Sequence, residues 1–320
     1  MGYLFTLVSQ RLLSDFSMQS IDYLRLYKLR AKKSLGQNFL VDEDILERIS
    51  ENINISQKNI IEVGPWYGAL TQHIINKYPQ ALHLVELDSD MIEMLEERFS
   101  PLSPDSSRTG LVEVSSTNQI ADPSPDSSES GFKIFHQDVL TFTPEFDTYS
   151  VIANIPYYIT SPILTHFLYT LNNSPEEMLI LMQRDVGDKI LAWVTGTGTK
   201  VPVPKKLRSS VISLMIAKKC FVTEKLLVPA KSFIPAPKVE SSVLYFETHK
   251  KYANIDDEGF LSFIKKWFSE PRKKLIKNLA KVGYSSEKIS EFLCQQWYNT
   301  NMRGEQWDID FWIELYLFLK

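Results

Sequence analysis

Between residues 60 and 154 the chain alternates short apolar runs with longer stretches of helical period. Residues 60–63 form an apolar run closed by the turn GPWYG, and a helical period then continues through Tyr78. Residues 81–87 repeat the run and end beside the acid Glu86, ahead of a helical stretch over 90–99. Residues 133–135 and 149–153 supply two further strands, with Asp138 just beyond the first, and 178–182 a fifth. This alternation predicts an α/β fold: a mostly parallel sheet covered on both faces, with its ligand crevice at the strand C-termini. From about Glu247 the strand pattern stops. Residues 259–279, 287–297 and 309–319 read as amphipathic helices separated by Gly283, Gly304 and polar residues, which predicts a small helical domain after the α/β one.

Composition is compatible with this division. A chain of 320 residues with 44% hydrophobic content can bury a large core in two domains. Cys220 and Cys294 stand far apart with no CxxC partner, so neither a disulfide framework nor a thiolate zinc site is expected, and a reducing cytoplasm fits. The five histidines show no ligand spacing, and no metal is expected. The N-terminal stretch has a short apolar run at 3–8 but no basic region before it and no small-residue cleavage site after it. A signal peptide is therefore not expected; the mild amphipathicity of residues 1–24 fits an organellar address or an extra helix, and is read as an extra helix, while no stretch approaches the ~20 apolar residues of a bilayer span.

The net charge of −4 argues against a nucleic-acid partner only until its location is examined. Residues 100–131 hold Asp105, Glu113, Asp122, Asp126 and Glu129 against Arg108 alone, which is the whole imbalance. That segment is rich in Ser, Pro and Asp and reads as a loosely ordered surface insertion. Positive charge clusters at 25–33, at 205–208 with Lys218 and Lys219, and at 265–281, the last including Arg272, Lys273, Lys274 and Lys277. These clusters are candidate phosphate-contacting surfaces.

The candidate chemistry sits at the strand ends. Residues 154–157 read Asn-Ile-Pro-Tyr, a side-chain amide, a rigid proline and an aromatic ring in consecutive places. A nucleobase amine is a weak nucleophile because its lone pair is delocalised, so it must be held in line with an electrophile. Asn154 Oδ1 and the carbonyl of Ile155 or Pro156 are candidate acceptors for it, and Tyr157 a stacking face. Gly64 lies at a strand-to-helix turn where glycine permits close backbone approach, and Glu86 is placed to accept from a ribose diol. The GxGxxG spacing is absent, which points to a nucleoside ligand without a diphosphate. Asp138 is a candidate acceptor for an adenine amine or a simple cap.

KSLGQNFLVD (33–42), EVGPWYGALT (62–71), LVELD (84–88), QDVL (137–140), NIPYYITSPIL (154–164) and FIPAPKVESSVL (233–244) resemble, in order and spacing, the ribosomal RNA adenine dimethyltransferases, above all the small-subunit, kasugamycin-sensitivity type. The resemblance runs from about residue 30 to the C-terminus. It implies a Rossmann-like S-adenosylmethionine-dependent methyltransferase domain at 31–248 with a helical RNA-binding domain at 249–320 and an N-terminal extension at 1–30. It further implies that Asn38 and Leu40 contact S-adenosylmethionine, that Gly64 lies along its methionine and ribose part, that Glu86 holds the ribose and Asp138 the adenine, and that Asn154 is shared by cofactor and target. Tyr157 and Phe233 would stack the target adenine, with Asn154 and Pro156 at the catalytic centre. The implied activity is dimethylation of N6 of two adjacent adenosines in a small-subunit rRNA hairpin, by a cytoplasmic monomer acting on a pre-ribosomal particle, without metal or membrane.

The sequence departs from that family at Trp66, where relatives carry a second glycine; either the loop avoids positive φ there or the indole repacks against the cofactor. Asp185 replaces a glutamate, Ser209 stands near an expected tyrosine, and Pro271 displaces an arginine. Two alternatives accompany the leading reading: a large-subunit adenine methyltransferase of the macrolide-resistance type, and a non-catalytic ribosome-assembly factor retaining the fold. Trp66 favours the second alternative; Glu86, Asp138 and Asn154 oppose it, because pure RNA binding needs no nucleoside pocket.

Overall fold

The computed structural model describes residues 20–27, 31–32, 36–99, 131–194, 210–268, 274–281, 283–296, 298 and 307–320. The acidic insertion, apart from Gly131, lies outside the described residues, as do the 205–208 cluster, Arg272 and Lys273.

Nine strands are present among the described residues: β1 (Phe39–Leu40), β2 (Asn59–Val63), β3 (Ala81–Glu86), β4 (Phe132–His136), β5 (Ser150–Asn154), β6 (Glu177–Gln183), β7 (Cys220–Val228), β8 (Phe233–Ile234) and β9 (Ser241–Thr248). Seven form one sheet in the order β4-β3-β2-β5-β6-β9-β7, while β1 and β8 pair antiparallel as a separate two-stranded ribbon. The pairs β2/β3, β2/β5, β3/β4 and β5/β6 are parallel. The five strands expected from the apolar runs are all found. β3 and β5 are buried at every position and β2 and β6 at all but one, as suits near-continuous apolar runs, whereas β4, at one end of the strand order, is only partly buried. β7, at the other end of the strand order, instead alternates buried and exposed positions over most of its length.

Strand order reverses between β2 and β5, and register decides what meets there. Val63 of β2 is aligned with Val85 of β3 and with Ala153 of β5. The next residues along, Gly64, Glu86 and Asn154, therefore end three neighbouring parallel strands in one row. Such a switch point leaves a crevice outside the strand C-termini.

The chain divides into two compact units. The first takes the described residues within 1–167, 175–183 and 225–245, and the second those within 168–174, 184–224 and 246–320. In the first, Leu46, Ile49, Ile60, Tyr67, Leu84, Leu95 and Phe99 lie in one buried cluster. The helix Glu43–Glu51 offers it Ile45, Leu46 and Ile49 from one face, and begins where the Asp42 carboxylate accepts from Ile45 N–H at 3.4 Å. The helix Ser20–Leu26 joins the same cluster through Leu24. In the second unit the helices Asp257–Phe268, Leu275–Lys281, Ser286–Gln295 and Ile309–Leu319 enclose an aromatic core that includes Phe260, Phe263, Trp267, Phe292 and Trp312.

One core residue makes stability pH-dependent. His83 of β3 is buried with its ring centroid 4.2 Å from Phe146 and 5.1 Å from Phe135, and its Nδ1 has no hydrogen-bond partner among the described residues. Burial lowers its pKa from 6.5 to about 4, so it is neutral in the folded chain. A depressed folded pKa contributes stability that is fully present above pH 6.5 and is lost as pH falls toward 4. The expected loss over that window is about 3 kcal/mol. Urea melts at pH 7, 5.5 and 4.5 should show it in the wild type and not in His83→Leu; parallel pH slopes in the two proteins would refute the assignment.

Candidate active site

Gly64, Trp66, Glu86, Leu87, Asp138, Ile155, Pro156 and Tyr158 line a cleft at the switch point, together with Gln37 and Val139. Gly64 is at φ +67°, and its N–H donates to Val85 carbonyl at 3.1 Å. A Cβ built there would lie 2.8 Å from the Asn154 carbonyl oxygen, so only glycine lets β2 and β5 close at this end.

Glu86 is buried, yet its carboxylate accepts from Leu87 N–H (2.8 Å) and Asp88 N–H (2.9 Å) on one oxygen and from Trp66 N–H (3.2 Å) on the other. Burial raises its pKa, and these backbone donors oppose the rise. One donor on Oε2 leaves that oxygen with lone-pair capacity facing the cleft. Beneath the turn, burial pushes the Glu62 carboxyl up to about 8, with Thr71 opposing the shift and Glu86 adding to it, so Glu62 is neutral at pH 7. Asp138 is exposed at the cleft wall. Its Oδ1 accepts from Leu140 N–H at 2.9 Å, which makes it a local turn former as well as a cleft residue.

The turn GPWYG is held from outside. Arg98 donates to the Tyr67 carbonyl at 2.8 Å, and its guanidinium lies 4.1 Å from the centroid of Tyr23 in the N-terminal helix. Tyr67 Oη in turn donates to Leu40 carbonyl at 2.8 Å. The segment before β1 is clipped to the loop after β3: Gln37 Nε2 donates to Asp88 Oδ2 at 2.8 Å, and Lys32 Nζ to Asp88 Oδ1 at 2.6 Å.

At the end of β5, Asn154 is 7% exposed, and no described residue hydrogen-bonds its side-chain amide. The two candidate backbone acceptors differ. The Pro156 carbonyl is taken by Ile159 N–H at 3.2 Å, closing the short 3₁₀ turn Tyr157–Ile159, whereas no described residue donates to the Ile155 carbonyl. Tyr157 is half-buried, its Oη paired with Ser241 Oγ at 2.7 Å, while Tyr158 lines the cleft and is 63% exposed. Phe233 is 3% exposed and packs in the core; Leu40 is likewise buried, and Asn38 turns its amide to the Gly36 carbonyl at 3.2 Å. Of the residues expected at the site, the structure thus puts Gly64, Glu86, Asp138 and Pro156 on the cleft wall and Asn154 beside them. Asn38, Leu40, Tyr157 and Phe233 are not among the residues that line it. Gln37 and Tyr158 were missed, although each is the sequence neighbour of an expected residue.

Of the two alternatives at Trp66, a loop that avoids positive φ is ruled out: Trp66 adopts φ +57°. Its indole Nε1–H donates to the Asn154 carbonyl at 2.6 Å, and its ring packs edge-on to Phe39 with centroids 5.6 Å apart.

Of the basic cluster expected to contact RNA, Lys274 and Lys277 are described and both are exposed. Among the described residues no group of His, Cys, Asp and Glu could hold a metal ion, and no helix is long and apolar enough to cross a membrane.

The profile of the family described as ribosomal RNA adenine dimethylase matches residues 28–306. A ribosomal RNA small subunit methyltransferase A of Mycoplasma mobile is 33% identical over 287 residues, covering 87% of this chain and 94% of that protein. The protein of the same name from Aliarcobacter butzleri is 29% identical, covering 92% and 97%. Among solved structures, the 23S rRNA methyltransferase ErmE superposes with a TM-score of 0.64 at 18% identity over 88% of this chain and 99% of that one. A dimethyladenosine transferase from Plasmodium falciparum gives 0.63 at 19% identity over 87% and 95%. Both share the Rossmann-like fold with this chain.

Proposed function

This chain belongs to the ribosomal RNA adenine dimethylase family, and on that premise we propose that it dimethylates N6 of two adjacent adenosines in a small-subunit, 16S-type rRNA hairpin during ribosome biogenesis, with S-adenosylmethionine as donor. The observation that carries the reading is the row formed by Gly64, Glu86 and Asn154 at the switch point. The cleft fits such a cofactor: Gly64 lies on its wall with no side chain to project, and Glu86 and Asp138 keep carboxylate lone pairs there. Glu86 would hold the ribose hydroxyls, Asp138 the adenine, and Gly64 the methionine and ribose part. Bound there, S-adenosylmethionine supplies an electrophilic methyl group on a positively charged sulfur.

The chain's own contribution is alignment. Asn154 Oδ1 and the Ile155 carbonyl accept from the two N–H bonds of the adenine amine and so orient its lone pair, an effect of preorganised dipoles. The Pro156 carbonyl already accepts from Ile159 N–H at 3.2 Å and keeps one lone pair, so it is the second candidate for that role. Pro156 also fixes the direction in which the chain leaves β5. Tyr157 and Phe233 are the proposed stacking partners of the target adenine. The partner is rRNA in a pre-ribosomal particle, met through phosphate contacts from Arg272, Lys273, Lys274 and Lys277.

The small-subunit target follows from the relatives above; the large-subunit enzyme shares only the fold at 18% identity. The test is methyl transfer to purified small-subunit and large-subunit assembly particles, followed by nucleoside analysis of each rRNA. N6,N6-dimethyladenosine confined to small-subunit rRNA is expected. Product confined to large-subunit rRNA would install the other target, and no product on either would leave an RNA-binding factor.

The basic cluster carries its own prediction. Reversing Arg272, Lys273, Lys274 and Lys277 to glutamate should raise the RNA dissociation constant about 10-fold or more near 0.1 M salt and flatten its salt dependence. Single-turnover transfer at saturating protein should survive. Filter binding across a salt series reads the effect, and an unchanged slope would remove these residues from the interface.

A further inference from the structure

Among the described cleft residues, Trp66 is the one non-glycine residue with a positive φ. A bulky residue at φ +57° is strained, and such strain persists only where the surroundings over-determine it. Three contacts do so here, from the ends of β5 and β3 and from β1. The indole N–H is on the Asn154 carbonyl at 2.6 Å, the backbone N–H on Glu86 Oε2 at 3.2 Å, and the ring lies edge-on to Phe39. The residue is 6% exposed, so the indole fills space rather than lying over the surface.

That space is next to Gly64. A Cβ built on Gly64 would be 3.5 Å from Trp66 Nε1 and 2.8 Å from the Asn154 oxygen. The indole N–H therefore lies at the close approach of Gly64 to Asn154, and it takes one lone pair of the Asn154 carbonyl. A buried carbonyl needs a donor, and the donor can be exchanged for another at little net cost.

Resting on the cofactor reading given above, we propose that Trp66 is a gate on the methionine end of the cleft: its indole N–H occupies the Asn154 carbonyl in the free protein and yields that acceptor to the cationic amine of S-adenosylmethionine on binding. Release of the strained turn offsets part of the cost of opening. The gate sets cofactor affinity and leaves the alignment of the target amine to the Asn154 side chain.

The test uses the full chain, titrated with S-adenosylmethionine by calorimetry, with the indole N–H signals followed by NMR; Trp66→Phe identifies the Trp66 signal by its loss. Thermal unfolding establishes that each variant is folded. The gate predicts that Trp66→Ala binds the cofactor about 10-fold tighter than wild type, that Trp66→Phe, which keeps the bulk and loses the N–H, falls between, and that the wild-type Trp66 signal moves on titration and exchanges faster with solvent. If wild type binds while both variants bind more weakly and the signal stays in place, Trp66 is a fixed wall and the gate is refuted with the cofactor reading intact. If neither wild type nor either variant binds S-adenosylmethionine, the cofactor reading itself fails, and the gate with it.

Discussion

Asn154→Ala is expected to lower single-turnover methyl transfer by roughly 100-fold or more while leaving cofactor and RNA binding nearly unchanged. The magnitude is that of losing one preorganised polar partner at a reacting centre. The structure supports a selective effect. No described residue hydrogen-bonds the Asn154 side-chain amide, so truncating it orphans nothing in the free protein, and the backbone carbonyl that Trp66 uses is retained. Assembled small-subunit particles are the substrate, and calorimetry and filter binding provide the controls. Unimpaired transfer by this variant, with cofactor binding intact, would sink the alignment mechanism even though the family assignment stands.

Glu86→Ala should weaken S-adenosylmethionine binding by about 1–3 kcal/mol through lost hydrogen bonds to a carboxylate. It should also loosen the fold locally, because the N–H groups of Trp66, Leu87 and Asp88 lose the acceptor they share. Glu86→Gln separates the two effects: its amide oxygen still serves part of the backbone set, while the charge is gone. The expected order of affinity is wild type, then Gln, then Ala, read by calorimetry on protein shown to be folded. Equal affinity in all three would move the ribose subsite elsewhere, with Asp138→Ala as the comparison for the adenine end.

Much of this was legible in the chain. Apolar runs separated by helical periods identify β2 to β6, and most plainly the four that are buried almost throughout, because a strand buried on both faces must be largely apolar. Gly64, Glu86 and Asp138 could be singled out because a backbone turn and acids at strand ends are local properties. The strands β7 and β9 were not expected. In β7 the alternating pattern is present but is interrupted by polar residues, as suits a strand at the end of the order. The β1 and β8 ribbon has two residues per strand, too few for any periodicity.

Sequence by itself determined the fold class, the family and the chemistry of the residues that end the strands, because period, turn residues and ordered motifs are all short-range patterns. Tertiary structure alone decided which neighbour of each motif residue faces the cleft. Gln37 lines it while Asn38 and Leu40 do not, and Tyr158 lines it while Tyr157 is tied to Ser241. Among the described residues the Ile155 carbonyl receives no donor, while that of Pro156 receives one, from the 3₁₀ turn. Trp66 closes on Asn154, 88 residues away in sequence. Each outcome depends on a register or a partner remote in the chain, and a one-residue change in facing is invisible until the strands are paired.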